Sequence, residues 1–254
     1  MAKTVFITGA SSGIGKALAA ELAGRGYDLF LTARRVQVLE GLRSEIAGRH
    51  PAREISVRSL DVTNVADVGE AIAEAAEKHG GLDIVVANAG LGSTGLVGHG
   101  RVERERAVIE TNVIGAIATV DFAVELFRRQ GRGQVVGITS VAGFRGLPTS
   151  ASYSASKAAL HTYLDAVRVE THADPITVTA LAPGYVDTPI NQDMPNRPFL
   201  ISVDDGARIA ADLIEKRVGH STVPRMPWTL ARPILKLVPT ALLARAMPKR
   251  PDLD

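Results

Sequence analysis

Short runs of β-branched and other apolar residues punctuate the chain: TVFIT (4–8), LFLT (29–32), EISV (54–57), DIVVA (83–87), QVVGIT (134–139) and ITVTAL (176–181). Longer stretches of helical character separate them, among them IGKALAAELAGRG (14–26), VADVGEAIAEAAEKHG (65–80) and ERERAVIETNVIGAIATVDFAVELFRRQ (103–130). Strands that alternate with helices need crossover connections, and crossovers build a parallel sheet with helices on both faces. The runs are nearly continuous in apolar character, as strands buried on both faces require. The pattern predicts a doubly wound α/β fold with a parallel sheet of about seven strands in a single domain. No repeat, linker or low-complexity block divides the 254 residues.

Directly after the first run comes TGASSGIGKALAAEL, in which Gly9, Gly13 and Gly15 enclose Ser11, Ser12 and Ile14. Glycines at a strand-to-helix turn allow tight bending and close backbone approach, and the unpaired N–H groups that open the helix favour phosphate oxygens. A dinucleotide pyrophosphate is the natural occupant, so the predicted sheet is of Rossmann type. The spacing is G-x-x-x-G-x-G, which departs from the G-x-G-x-x-G fingerprint. A literal match to that fingerprint, GLGSTG (90–95), is expected not to be the pyrophosphate turn. Gly98 and Gly100 follow it, so no helix opens there, and Glu110 falls inside a helical pattern instead of at a strand end.

In NAD-binding folds an acidic residue at the end of the second strand accepts from the ribose 2′-hydroxyl. Here that strand ends LTARR: Ala33 removes the carboxylate, and Arg34 with Arg35 offers guanidinium donors suited to a 2′-phosphate. NADP(H) is expected over NAD(H).

Taken together, TGASSGIG, DVT (61–63), NAG (88–90), Asn112 in IETNVIGA, Ser140 in GITSVAG, YSASK (153–157) and APGYVDTP (182–189) resemble the short-chain dehydrogenase/reductase family over about residues 3–190. Tyr153 and Lys157 would share one helix face, being four residues apart. A reduction passes hydride to a carbonyl carbon while the oxygen takes a proton, and Tyr153 would supply it. An adjacent ammonium favours the phenolate, so Lys157 is expected to ease ionisation of the phenol. The resemblance implies that Lys157 also holds the nicotinamide ribose, that Ser140 hydrogen-bonds the substrate oxygen, and that Asn112 holds a water linking Lys157 to solvent. It further implies that Asp61 and Val62 contact adenine, that Asn88, Ala89 and Gly90 brace the cofactor, and that Pro183, Gly184, Val186 and Thr188 lie near the nicotinamide. Phe144, Leu147 and Tyr185 join Ser140 and Tyr153 as candidate substrate contacts, giving a pocket with apolar walls for a moderately hydrophobic ketone or aldehyde.

Composition narrows the alternatives. The chain has no cysteine, which excludes disulfides and thiolate metal sites and fits a reducing cytoplasm. The start MAKTVFITGA turns to strand too early for a signal peptide, and a cytoplasmic location is expected. No H-E-x-x-H spacing accompanies the six histidines, so no metal site is expected, and no G-x-S-x-G elbow supports a serine hydrolase. The net charge of +2 hides an asymmetry: between Arg217 and Arg250 stand seven basic residues and no acidic one, leaving 22 basic against 27 acidic residues elsewhere. That body is a poor nucleic-acid surface.

Residues 190–224 read as a substrate loop and last strand, and 225–254 as a basic, proline-interrupted helical tail. Within the tail Leu230, Ile234, Leu237 and Val238 share one helical face while Arg232 and Lys236 share another. One reading is peripheral membrane contact with Trp228 near the headgroups; the other is a helix that covers the substrate cleft or a second subunit with its basic face in water. The resemblance implies a homodimer or homotetramer acting on a small carbonyl or alcohol. The rivals to an enzyme are a regulator that senses NADP(H) without turnover and a membrane-docked adaptor using the basic tail. The complete set Asn112, Ser140, Tyr153 and Lys157 speaks against the first.

Overall fold

The computed structural model describes residues 2–192, 194 and 196–245. Its first half runs β1 (Thr4–Thr8), α1 (Gly13–Gly24), β2 (Asp28–Ala33), α2 (Val36–Arg49), β3 (Ile55–Ser59), α3 (Val65–His79) and β4 (Ile84–Ala87). The second runs α4 (Val102–Ile109), α5 (Gly115–Gln130), β5 (Gly133–Ile138), α6 (Ala151–Glu170), β6 (Ile176–Pro183), α7 (Val203–Glu215) and β7 (His220–Val223), followed by α8 (Trp228–Leu237) and α9 (Thr240–Arg245). The seven strands are all parallel, in the order β3-β2-β1-β4-β5-β6-β7. The order reverses between β1 and β4, and in such sheets that crevice is where ligands bind.

Side chains alternate across each strand and fill two cores. Val5, Ile7, Leu29 and Leu31 face α1, α2 and α7 through Leu18, Leu22, Leu39 and Ile214. Phe6, Phe30, Val85 and Val135 face the other way, onto α3, α5 and α6 through Ile72, Phe127, Leu160 and Leu164. Helix ends follow their capping residues: Asn64 and Ser202 accept from Asp67 N and Asp205 N to start α3 and α7, and Gly80 and Gly131 end α3 and α5 in left-handed conformations.

Two boundaries differ from the sequence pattern for physical reasons. The strand expected over 176–181 extends to Pro183, which is tolerated because a missing N–H costs little at the end of a ladder. The single helix expected over 103–130 is interrupted at 110–114 by one π-helical turn, a distortion common at functional sites, and Asn112 lies at its centre. After GLGSTG no helix opens until Val102, in agreement with its rejection as a phosphate turn.

Helix α8 is turned opposite to the cleft-covering reading, and its tryptophan opposite to the membrane reading. Trp228, expected at a lipid headgroup, is only 6% exposed and packs with Val141, Phe144 and Ala182. Arg232, expected in water, points inward: Nη1 donates to His220 Nε2 at 2.7 Å, Nη2 reaches His161 Nε2 at 3.4 Å, and Cζ sits 4.9 Å over the Phe144 ring. The expected apolar face, Leu230, Ile234 and Leu237, faces solvent. Leaving three such side chains in water forgoes roughly 1.5–3 kcal/mol each; within the described chain the indole and the guanidinium decide the orientation instead.

This latch carries a pH dependence. Arg232 donates to His220 Nε2, which keeps the imidazole neutral, and burial, His161 and Arg232 together push His220 down to about 4 against the opposing charge of Asp165. The unfolded chain takes up that proton near the ordinary value of about 6.5, so it binds more protons than the fold between those pH values and stability falls as pH drops through the window. Thermal melts between pH 7 and pH 4 are expected to show a smaller loss of Tm for His220→Gln than for the parent; equal losses would remove His220 from the acid response.

Candidate active site

Parallel strands put all their carboxyl ends on one edge, and the residues marked by the sequence lie just beyond those ends. Gly9 follows β1, Arg34 and Arg35 follow β2, Asp61 follows β3, Asn88 to Gly90 follow β4, Ser140 follows β5, and Gly184 to Thr188 follow β6. Helix α6 brings Tyr153 and Lys157 to the same edge.

The turn from β1 to α1 is shaped for an anion. Gly9 and Gly13 adopt positive φ of +69° and +54°, and a Cβ on Gly15 would stand 2.4 Å from Asn88 Nδ2 and 2.6 Å from Gly9 O. Ser12 caps α1 without a side-chain hydrogen bond, and the first turn of α1 carries no acidic residue. Those N–H groups and the unopposed positive end of the helix dipole suit a pyrophosphate. Asn88 braces this turn: Nδ2 donates to Thr8 O at 2.8 Å and to Gly9 O at 3.2 Å, while Thr8 Oγ1 accepts from Asn88 N and Ala89 N. Thr188 closes the far side, its methyl 3.5 Å from where a Gly13 side chain would begin. Ile14 is half-buried in the first turn, and Val186 is buried behind Thr188, accepting from its hydroxyl.

At the end of β2, Arg34 and Arg35 are both exposed, and Arg35 Nη2 donates to Ser11 Oγ at 3.0 Å. That contact swings a guanidinium onto the glycine turn. Asp61 accepts from the backbone and hydroxyl of Thr63, and Val62 is buried against Gly115 at the start of α5.

The second half of the site gathers around Lys157. Gly143 lacks a side chain that would stand 2.8 Å from the Lys157 backbone, so the single 3₁₀ turn Val141–Phe144 lies directly on α6. Ser140 caps that turn: Oγ accepts from Ala142 N at 3.1 Å and donates to Pro183 O at 3.4 Å. Lys157 is 4% exposed, and its Nζ donates to Ile138 O at 2.8 Å. Asn112 is fully buried and clamped: Oδ1 accepts from Leu91 N at 2.7 Å, and Nδ2 donates to Leu91 O and Ser156 Oγ. Ser156 Oγ in turn donates to Tyr153 O. A Cβ on Gly90 would lie 3.3 Å from Asn112 Oδ1 and 3.5 Å from Lys157 Nζ, so the absent side chain leaves room beside both groups.

The electrostatics correct one expectation. The Lys157 ammonium does not lower the Tyr153 phenol here. Nζ is 5.8 Å from the Tyr153 ring centroid and turned onto the Ile138 carbonyl. Burial raises the phenol above its ordinary value, with hydrogen bonding to Ser140 working against it and Tyr185 adding to it. Lys157 itself is pushed down to about 8 by burial. Desolvation outweighs the distant charge because both groups lie in low dielectric.

The candidate substrate contacts divide. Tyr185 is half-buried, 6.0 Å from the Trp228 ring, and Leu147 is half-buried with its N–H bonded to Ser154 Oγ. Phe144 is 8% exposed, with Arg232 over its ring and His161 and His220 edge-on, so packing beneath α8 occupies it in place of an open wall. Gly184 has a packing role of its own: a Cβ there would stand 2.1 Å from Trp228 Nε1. Sequence reasoning missed Ser156, the Ile138 carbonyl, the Leu91 backbone and Trp228, which packs over Gly184. Ser156 alone had a readable signal, a small polar residue three positions after Tyr153. Among the described residues no group of three or more histidines and carboxylates could hold a metal ion.

Comparison with known proteins gives this arrangement its relatives. An uncharacterized oxidoreductase of Mycobacterium tuberculosis is 35% identical over 242 residues, covering 95% of this chain and 96% of that protein. The solved alcohol dehydrogenase of the archaeon Thermococcus sibiricus, complexed with 5-hydroxy-NADP, superposes with a TM-score of 0.79 at 30% identity over 87% of this chain and 96% of that one. The 3-ketoacyl-(acyl-carrier-protein) reductase of Brucella melitensis, complexed with NADH, gives 0.78 at 26% identity over 87% and 95%. The short chain dehydrogenase family profile matches residues 3–198, and with the glycine turn, the seven-stranded sheet and these relatives it makes the chain an oxidoreductase of the short-chain dehydrogenase/reductase family.

Proposed function

We propose that this protein is an NADP(H)-dependent carbonyl reductase or alcohol dehydrogenase in which Tyr153 is the acid/base group. The observation that carries the reading is the gathering of Ser140, Tyr153, Lys157 and Asn112 beside the anion-shaped glycine turn, on one edge of the sheet. The bound dinucleotide supplies or accepts the hydride. Gly9, Gly13 and Gly15 give its pyrophosphate close backbone approach. The preference for NADP(H) rests on Ala33, which offers no carboxylate to a 2′-hydroxyl, and on Arg35 held by Ser11 next to Arg34.

Tyr153 hands its phenolic proton to the carbonyl oxygen as negative charge builds there. A phenol kept neutral by burial is a ready donor for reduction. Ser140 Oγ, capping the turn at the end of β5 and turned onto Pro183 O, would swing its hydroxyl to steady the same oxygen. Lys157 keeps two N–H groups beyond the one given to Ile138 O, enough to hold ribose hydroxyls and a water. The room at Gly90, between Asn112 Oδ1 and Lys157 Nζ, is where that water would return the proton. Tyr185, half-buried against Trp228, offers the cleft an apolar wall, which suits a moderately hydrophobic ketone or aldehyde.

A panel of aliphatic, aromatic and acyl-thioester carbonyls offered with NADPH and with NADH tests this. Carbonyl-dependent oxidation of NADPH is expected, with NADH slower. Tight NADPH binding with no turnover across the whole panel would favour a cofactor-sensing protein instead.

A further inference from the structure

The inverted helix α8 leaves a problem that the described chain does not solve. Its inward row, Trp228, Ala231, Arg232 and Leu235, is at least half-buried, and Arg145 adds a second latch by donating to Leu235 O at 3.2 Å. Its outward row is more apolar than the inward one: Leu230 is 60% exposed, Ile234 62% and Leu237 82%, with Pro233 exposed among them. A surface helix ordinarily turns such a stripe into the core. Met226 and Phe199, 58% and 60% exposed, lie near the N-terminal end of α8, and Leu242 on α9 is exposed as well.

Charge identifies the occupant. The stretch from Arg217 to Arg250 holds seven basic residues, of which Arg232 is turned inward, and no acidic one, although the rest of the chain is net acidic. A second copy docking through this row about a two-fold axis would set the same acid-free strip against itself. A peptide or protein partner would need an acidic apolar face of matching length. An anionic lipid surface meets both requirements at once, apolar side chains entering the acyl boundary and basic ones resting on the headgroups. We infer that α8 and the basic segment after it dock this protein on anionic bilayers, with Leu230, Ile234 and Leu237 as the inserted row. Trp228 belongs to the cleft side of the same helix, so docking would place the mouth of the site close to the lipid. The inference stands on the helix surface and is independent of the redox reading.

Full-length protein is co-sedimented with vesicles of phosphatidylcholine alone and of phosphatidylcholine with phosphatidylglycerol. Binding is expected with the anionic vesicles and on the order of tenfold less with the neutral ones. Leu230→Ser with Ile234→Ser and Leu237→Ser is expected to lower the anionic binding by a similar factor. Arg245→Glu with Lys249→Glu and Arg250→Glu alters a different chemistry and is expected to do the same, so a folding defect in one variant, read by circular dichroism, leaves the other decisive. Equal sedimentation with and without vesicles overturns the inference. So does a soluble oligomer that the apolar variant dissociates while vesicle binding stays absent, since the row would then face a second copy. NADPH oxidation in the same fractions reports the redox activity separately.

Discussion

Tyr153→Phe is expected to lower turnover of the best carbonyl by about 100- to 10,000-fold, the span usual for a positioned proton donor, with NADPH affinity little changed. Phe keeps the ring, so α6 packs as before and only the hydroxyl beside Ser140 is lost. Single-turnover rates and NADPH fluorescence titrations on both proteins check this together. A variant as fast as the parent would remove Tyr153 from the chemistry; a variant that no longer binds NADPH would make the residue a cofactor ligand first. The pH profile adds a sign. Because Lys157 is pushed down to about 8, reduction is expected to weaken as pH rises through that value and the lysine loses the charge that holds its polar neighbours. Alcohol oxidation needs the phenol deprotonated, and burial raises that phenol, so its rate is expected to keep rising with pH to values above the ordinary phenol range.

The second large effect concerns cofactor choice. Replacing Arg34 and Arg35 together by Ser is expected to lower kcat/KM with NADPH by about 10- to 100-fold, the loss of one charge-assisted hydrogen bond at roughly 1.5–3 kcal/mol. Rates with NADH are expected to change little, because that cofactor presents a hydroxyl where NADPH presents a phosphate. Arg35 should carry the larger part, since its contact with Ser11 already orients it over the glycine turn. An equal drop with both cofactors would mean that the arginines support the turn without reading the phosphate.

Much of the site was legible before folding because its signals are local. The glycine turn is seven residues long and needs only its own backbone conformations. The pair Tyr153 and Lys157 sits on one helix, where a four-residue spacing fixes a shared face. Six of the strands announced themselves by burial on both faces, while their order β3-β2-β1-β4-β5-β6-β7, one that right-handed crossovers allow, was visible only in the fold. The exclusion of GLGSTG as a phosphate turn was equally local, since Gly98 and Gly100 follow it before any helical period begins.

Other features depend on contacts between distant parts of the chain. Asn112 could be marked by its neighbours in sequence, but its clamp joins Leu91 to Ser156 across a π-helical turn, with the serine 44 positions further on. Arg232 turned inward because His161, 71 positions earlier, and His220 stood ready to accept from it. Periodicity could group Leu230, Ile234 and Leu237 on one face without saying which way that face turns. By itself the sequence determined the sheet, the dinucleotide turn and the chemical identity of the catalytic candidates, since each is set by short-range spacing. Only the tertiary structure decided that the Lys157 ammonium rests on Ile138 and that α8 shows its apolar side outward, because burial and hydrogen bonding are settled by whichever groups the completed fold brings together.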